Sequence, residues 1–253
     1  MILTWKTFAI VCPLLFLSGF VDSIGGGGAL ISLPAYMFAR LPIHMAVATN
    51  KLSAACGTSV ATYRFARSGL INLKISIPAV LCAIIGSSIG ANLSLHIEER
   101  ILRGLLFVVL PISAFFVLNR NLFHDERQES TQFTRKSYLT SAISALIIGI
   151  YDGMYGPGTG TFLIIAFTVF AKMSLASSNA QSKVINLTTN ITSLTIFLIN
   201  RQVLIPLGLA AAVCNMAGNY IGSGLALQNG VKIVRPIILT VLVLLFIKIA
   251  TGY

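Results

Sequence analysis

Residues 21–28 read Val21-Asp22-Ser23-Ile24-Gly25-Gly26-Gly27-Gly28, inside an apolar segment that runs from about residue 5 to residue 39. A helix carried through four glycines loses roughly 1 kcal/mol per residue relative to alanine. The segment is therefore predicted to unwind there. A second stretch, Tyr151-Asp152-Gly153-Met154-Tyr155-Gly156-Pro157-Gly158-Thr159-Gly160, interrupts the apolar segment 138–171. Pro157 lacks an amide hydrogen and blocks the preceding turn. The two stretches align at an offset of 130, and each break follows an aspartate, Asp22 or Asp152.

The surroundings of these breaks decide the class. The chain has 253 residues, 56% of them hydrophobic and 10% charged, with a mean hydropathy of +0.87. A soluble domain carries roughly 25% charged residues, so a soluble enzyme is excluded. So is a disordered chain, which needs far less apolar material. Outer-membrane strands alternate polar and apolar residues over about ten positions. Here Ile101–Leu118 and Ile233–Ile249 run apolar for much longer. The fold class is thus all-α, a polytopic helical membrane protein. A spanning helix takes about 20 residues, and eight apolar segments fit: 5–39, 44–63, 75–95, 101–118, 138–171, 180–199, 203–226 and 233–250.

The polar run 119–137 divides the chain. At an offset of 132, Asn50-Lys51 aligns with Ser182-Lys183, Cys82 with Cys214, Gly86 with Gly218 and Gly90 with Gly222. These matches predict two membrane repeats, 1–118 and 138–253, joined by the loop 119–137. Internal repeats are a common build for secondary transporters. If the glycine-broken segments each cross once, the repeats are parallel. If each dips in and returns, they are inverted. Leaving out Lys51 and Lys183, either arrangement places ten Lys and Arg on one side and six on the other, so the positive-inside rule does not choose. Length does. Ala29–Ala39 and Thr161–Ala171 have eleven residues each, about 16 Å as helix, or half a bilayer. Half-helices ending at a midplane break point to inverted repeats.

Chemistry concentrates at the breaks. Unwound backbone at membrane depth persists only when buried in protein or lining a wet cavity. A half-helix that restarts after a break offers free amides and a positive dipole end, and two such ends suit an anion. The substrate-binding candidates are accordingly Gly25, Gly26, Gly27, Gly28, Gly156, Gly158, Thr159 and Gly160. Lys51 and Lys183, each read as opening the helix after a half-helix, add cations beside Asn50. Asn186 and Asn190 follow Lys183 on one helical face. Of seven acidic residues, five lie in loops, and the other two are Asp22 and Asp152. A carboxylate at that depth is a functional group by default. It either carries a coupling proton or caps the amides of its own break.

Other features carry less. Gly86 and Gly90, like Gly218 and Gly222, have the small-xxx-small spacing of close helix crossings. Cys12, Cys56, Cys82 and Cys214 form no CxxC pair, so neither a disulfide framework nor a zinc site is expected. His44, His96 and His124 share no ligand spacing, so no metal or other cofactor is inferred. The net charge is +11, but the basic residues are spread along loops. Nucleic acid is thus not expected as a partner, and an anion is. The N-terminal apolar run could pass for a signal peptide, but it has a counterpart in the second half.

The stretch from Asp22 to Gly28, then Leu33-Pro34, Ala46-Val47-Ala48-Thr49-Asn50, Tyr63-Arg64, Gly69-Leu70-Ile71-Asn72, Gly86 and Gly90 resembles the TauE/SafE sulfite exporter family, the TSUP permeases. The resemblance covers essentially the whole chain. It implies an inner-membrane, multi-pass permease for sulfite or a small organosulfonate. The second break departs from the all-glycine form at Pro157 and Thr159. The combined expectation is a gradient-driven secondary transporter of a small anion, not an enzyme, with the lipid bilayer as surroundings. A passive anion channel, and an intramembrane enzyme using Asp22 and Asp152, are the alternatives. Substrate identity, transport direction and oligomeric state are not specified by the sequence.

Overall fold

The structure, a computed structural model, describes residues 5–98, 101, 104 and 134–229. The segment 233–250, most of 101–118 and residues 119–133 of the connecting loop lie outside the described residues. Among the described residues all regular structure is helical. The helices are α1 (Trp5–Gly25), α2 (Ala29–Phe38), α3 (Ile43–Arg67), α4 (Leu73–His96), α5 (Arg135–Met154), α6 (Thr159–Val169), α7 (Leu175–Ile199) and α8 (Ile205–Asn229). Of these, α1 and α4 are long and apolar enough to cross a membrane unaided. Both runs of four go long, short, long, long.

Each glycine break is the tip of a helical hairpin. α1 ends at Gly25, and Gly26 and Gly27 take positive φ of 76° and 87°, which glycine adopts without steric cost. The chain then reverses. Val11 and Leu15 of α1 share a buried cluster with Ala35 and Tyr36 of α2. In the second hairpin Gly156 and Gly158, with φ of 96° and 83°, flank Pro157. Leu163 and Phe167 of α6 return against Ala145 of α5. Backbone conformation elsewhere also recurs 132 residues apart. Arg40 and Lys172 both have φ 61°, and Gly69 and Arg201 have φ 76° and 55°.

The two tips touch. A Cβ placed on Gly160 would lie 2.7 Å from the Gly26 Cα. The Thr161 hydroxyl donates to the Gly25 carbonyl at 3.1 Å. The unwound stretches are shorter than the sequence predicts, because Gly25 and Gly160 are helical. The helices after the hairpins also begin earlier. Ser174 caps α7 by accepting from the Ser177 amide. The buried polar run Ser177, Ser178, Asn179 and Gln181 continues it as helix, although hydropathy alone hides that turn. Lys51 and Lys183 therefore sit two turns inside α3 and α7 rather than at their openings.

Contacts along the helices fix their relative directions. Thr62, late in α3, donates to the carbonyl of Lys183, early in α7. Val47 and Ala48, early in α3, share a cluster with Phe197, late in α7. The two helices therefore run antiparallel. α8 runs alongside α1 in the same direction, as α5 does with α4. In both pairs glycines make the approach: Gly218 and Gly222 abut the Phe16 and Phe20 carbonyls, and Gly86 and Gly90 abut those of Leu146 and Ile150. A methyl at Gly90 would overlap the Ile150 carbonyl. Gly90→Ala is expected to destabilise the protein by about 1–3 kcal/mol, the usual cost of overpacking. The neighbouring, outward-facing Ile89→Ala should change little. Thermal unfolding of the detergent-purified variants checks this, and equal midpoints for the two would contradict the close crossing.

The described helices expose aliphatic stripes and bury many polar side chains beside their apolar clusters. Ile77, Leu81, Ile85, Ile89 and Leu93 form an exposed stripe on α4, and Leu139, Ile143 and Ile147 do the same on α5. Thr49, Asn50, Lys51, Ser53, Lys183, Asn186 and Asn190 are buried. That distribution suits a lipid surround, since a soluble protein hides such aliphatic stripes.

Candidate functional site

Both lysines are buried, and each is bound to the aspartate of the other half. Lys51 Nζ of α3 lies 3.0 Å from Asp152 Oδ2, with the side chains 2% and 3% exposed. Lys183 Nζ of α7 lies 3.1 Å from Asp22 Oδ2, with the side chains 0% and 13% exposed. Lys183 also donates to the Asp22 carbonyl oxygen. The pairs cross because α3 and α7 run past both hairpin tips in opposite senses. A charge buried this deeply persists only when paired, and here two cations meet two carboxylates.

The aspartates also hold the breaks in shape. Asp22 Oδ1 accepts from the Gly28 amide at 3.3 Å. Asp152 Oδ1 accepts from the Thr159 hydroxyl at 2.8 Å. Tyr151 secures the second tip by donating to the Pro157 carbonyl at 2.6 Å. Ser18 does the same for the first, donating to the Gly28 carbonyl at 2.8 Å. A carboxylate of this chain stands beside the start of α2 and of α6, but no side chain caps either helix by a hydrogen bond: Asp22 reaches the amide of Gly28, ahead of α2, and Asp152 reaches a hydroxyl.

A cavity of about 30 Å³ lies between the tips and the middles of α3 and α7. It gathers Gly27, Gly28, Asn50, Lys51, Gly156, Thr159, Gly160, Asn186 and Asn190, together with Asp22 and Asp152. Four residues singled out from sequence do not line it: Gly25, Gly26, Gly158 and Lys183. Gly26 instead forms the contact between tips. Lys183 lies behind Asp22. Sequence reading missed Ser18, Ser32, Thr58 and Asn215, which do line the cavity. Ser18 precedes Asp22 by one helical turn, and Ser32 follows Gly28 by one. Asn215, Asn219 and Ser223 recur every four residues on one buried face of α8. That stripe was the available signal.

The lining offers donors of several kinds. Among the described residues the Lys51 ammonium meets only the Asp152 carboxylate, which leaves donor capacity on a group with three hydrogens. Asn190 donates to Asn186 Oδ1 at 3.1 Å, and the Asn50 amide and Thr58 hydroxyl face the same space. The described residues hold no group of three or more His, Cys, Asp or Glu side chains able to bind a metal ion. The four cysteines are free.

Helices with an apolar exterior around a buried, charge-paired polar centre define an integral membrane protein. The sulfite exporter TauE/SafE family profile matches residues 11–249, and the chain belongs to that family. It is 32% identical over 249 residues to a probable membrane transporter protein, ORF9, of Sinorhizobium sp., covering 98% of this chain and 94% of that one. It is 34% identical over 249 residues to the probable membrane transporter protein YfcA of Escherichia coli K12, covering 94% and 90%. A probable membrane transporter protein of Haemophilus influenzae is 30% identical over 224 residues, covering 88% and 86%. No solved structure matches. The relatives are transporters by name rather than enzymes.

Proposed function

We propose that the protein is a gradient-driven secondary transporter of a small anion, with sulfite or a small organosulfonate as the favoured cargo. It sits in the inner membrane as a multi-pass protein. Its two halves, 1–118 and 138–253, are inverted repeats joined by the loop 119–137. The antiparallel run of α3 and α7, the crossed ion pairs and the backbone recurrences support that relation. The observation that carries the transport reading is the cavity where the hairpin tips meet, with the Lys51 ammonium at its wall. Discontinuous helices meeting near the midplane are where transporters of this build bind cargo. The substrate lies between the glycine breaks against Lys51, Asn50, Asn186, Asn190 and the Thr159 turn. Lys183 acts from behind Asp22. Asp22 or Asp152 carries the coupling proton in addition to bracing its break.

The intramembrane-protease alternative needs two carboxylates that share a proton. Here each carboxylate is bound to a lysine, which favours transport. The channel alternative separates by kinetics. Purified protein in liposomes is expected to take up radiolabelled sulfite, or taurine as an organosulfonate probe, saturably and faster under an imposed pH gradient. Flux that rises linearly with concentration and ignores the pH gradient would make it a channel. Absence of flux for sulfite, sulfate and taurine alike would remove the case for a sulfur-containing cargo.

A further inference from the structure

The two ion pairs are equivalent in sequence position but not in geometry, and the difference has a mechanistic consequence. Lys183 is held by both the carboxylate and the carbonyl oxygen of Asp22 and does not line the cavity. Lys51 does line it, and among the described residues its ammonium meets a single carboxylate. Asp152 lines the same cavity, with Oδ1 occupied by Thr159 and Oδ2 facing Lys51. We propose that Lys51 and Asp152 form an exchangeable pair: an entering oxyanion takes Lys51, and Asp152, released from it, takes up one proton. The Lys183–Asp22 pair remains closed and serves as the fixed counterpart. This rests on the transport reading above and specifies its coupling.

The argument is one of charge. The cavity wall and its partners carry two cations and two carboxylates, a neutral set. Adding a monovalent anion leaves one uncompensated negative charge in a medium where an unpaired ion costs several kcal/mol. One proton from water, delivered to the displaced Asp152 Oδ2, restores neutrality. No electron moves and no covalent bond other than O–H forms. The charged groups facing Asp152 are Lys51 from α3 and Asp22 from α1, with Lys183 of α7 behind Asp22. Tyr151 of α5 and Tyr155, just past its end, lie on either side of it in sequence. Among the described lining residues, α6 and α8 contribute Thr159, Gly160 and Asn215, none of them titratable, and α4 contributes none. Asp152 is therefore the displaced acid, and the cargo is a monoanion carried with one proton.

The test counts protons. Methanesulfonate and sulfite are added to the detergent-purified full chain in weak buffer. Binding is followed by calorimetry and proton uptake by a pH-indicator dye. Methanesulfonate is the decisive probe, because it is the anion of a strong acid and brings no titrating proton of its own. Wild type is expected to take up about one proton per methanesulfonate bound, and Asp152→Asn none. In liposomes, wild-type flux should respond to a pH gradient and ignore a potassium–valinomycin potential. Binding without proton uptake, undiminished uptake in Asp152→Asn, or flux driven by potential would each overturn the exchange while leaving the transporter reading intact. Failure of both anions to bind would overturn the exchange together with the sulfur-oxyanion reading. If Asp152→Asn does not fold, the wild-type stoichiometry and its indifference to potential decide the matter.

Discussion

Lys51→Met is expected to abolish anion uptake in liposomes and to destabilise the protein. Removing the ammonium leaves the Asp152 carboxylate, 3% exposed, without its cation. Breaking one side of a buried pair costs about 3–5 kcal/mol, whereas replacing both sides with well-packed apolar residues is close to neutral. The double variant Lys51→Met, Asp152→Leu should therefore regain most of the lost thermal stability and none of the transport. That split separates a binding role for Lys51 from a purely architectural one. Uptake by the folded double variant at wild-type rates would show that the cargo does not need this lysine. The equivalent change at Lys183 should destabilise similarly. Its effect on apparent affinity should be smaller than its effect on stability, because Lys183 does not face the cavity.

Gly26→Ala should be close to disabling, and Gly69→Ala mild. Both glycines have φ of 76°, so a side chain at either position meets the same local left-handed penalty of roughly 1–2 kcal/mol. Their surroundings differ. A Cβ at Gly69 meets nothing within 4 Å, while one at Gly26 overlaps the backbone of Gly160 and Thr161. Backbone at a hairpin tip cannot rotate aside as a side chain can. Gly26→Ala is thus expected to separate the tips, lowering the thermal midpoint well below that of Gly69→Ala and eliminating uptake. Comparable midpoints for the two variants would mean that the tips are not in contact.

The sequence disclosed the ingredients of this site more readily than its wiring. The two breaks stand out because their glycines are clustered, and the aspartates before them and the lysines after them because Asp and Lys are rare within such apolar segments. Their pairing was hidden. Each lysine reaches the aspartate of the other half, and Lys183 and Asp22 are 161 residues apart. No local periodicity reports a contact of that range. Charge counting carries no information on the relative course of α3 and α7, which the Thr62–Lys183 and Val47–Phe197 neighbourhoods show to be antiparallel. One amide such as Asn215 looks incidental in an apolar helix until Asn219 and Ser223, on the same buried face, are read with it. Thr159 was identified as a substrate-site residue, but its hydroxyl bond to Asp152 depends on the tip geometry.

The crossed lysine–aspartate pairs also bear on how the chain is made. The first half enters the bilayer carrying Asp22 and Lys51, and the partner of each is supplied only by residues translated later. Until α5 and α7 arrive, two ionisable groups lack the partners they meet in the folded protein. Locking of the centre is therefore a late event in biogenesis, conditional on both halves having inserted in the correct sense. A nascent chain with one half inverted leaves four ionisable side chains unmatched, a defect that membrane quality control can recognise. Halves produced as separate polypeptides should accordingly persist only when synthesised together.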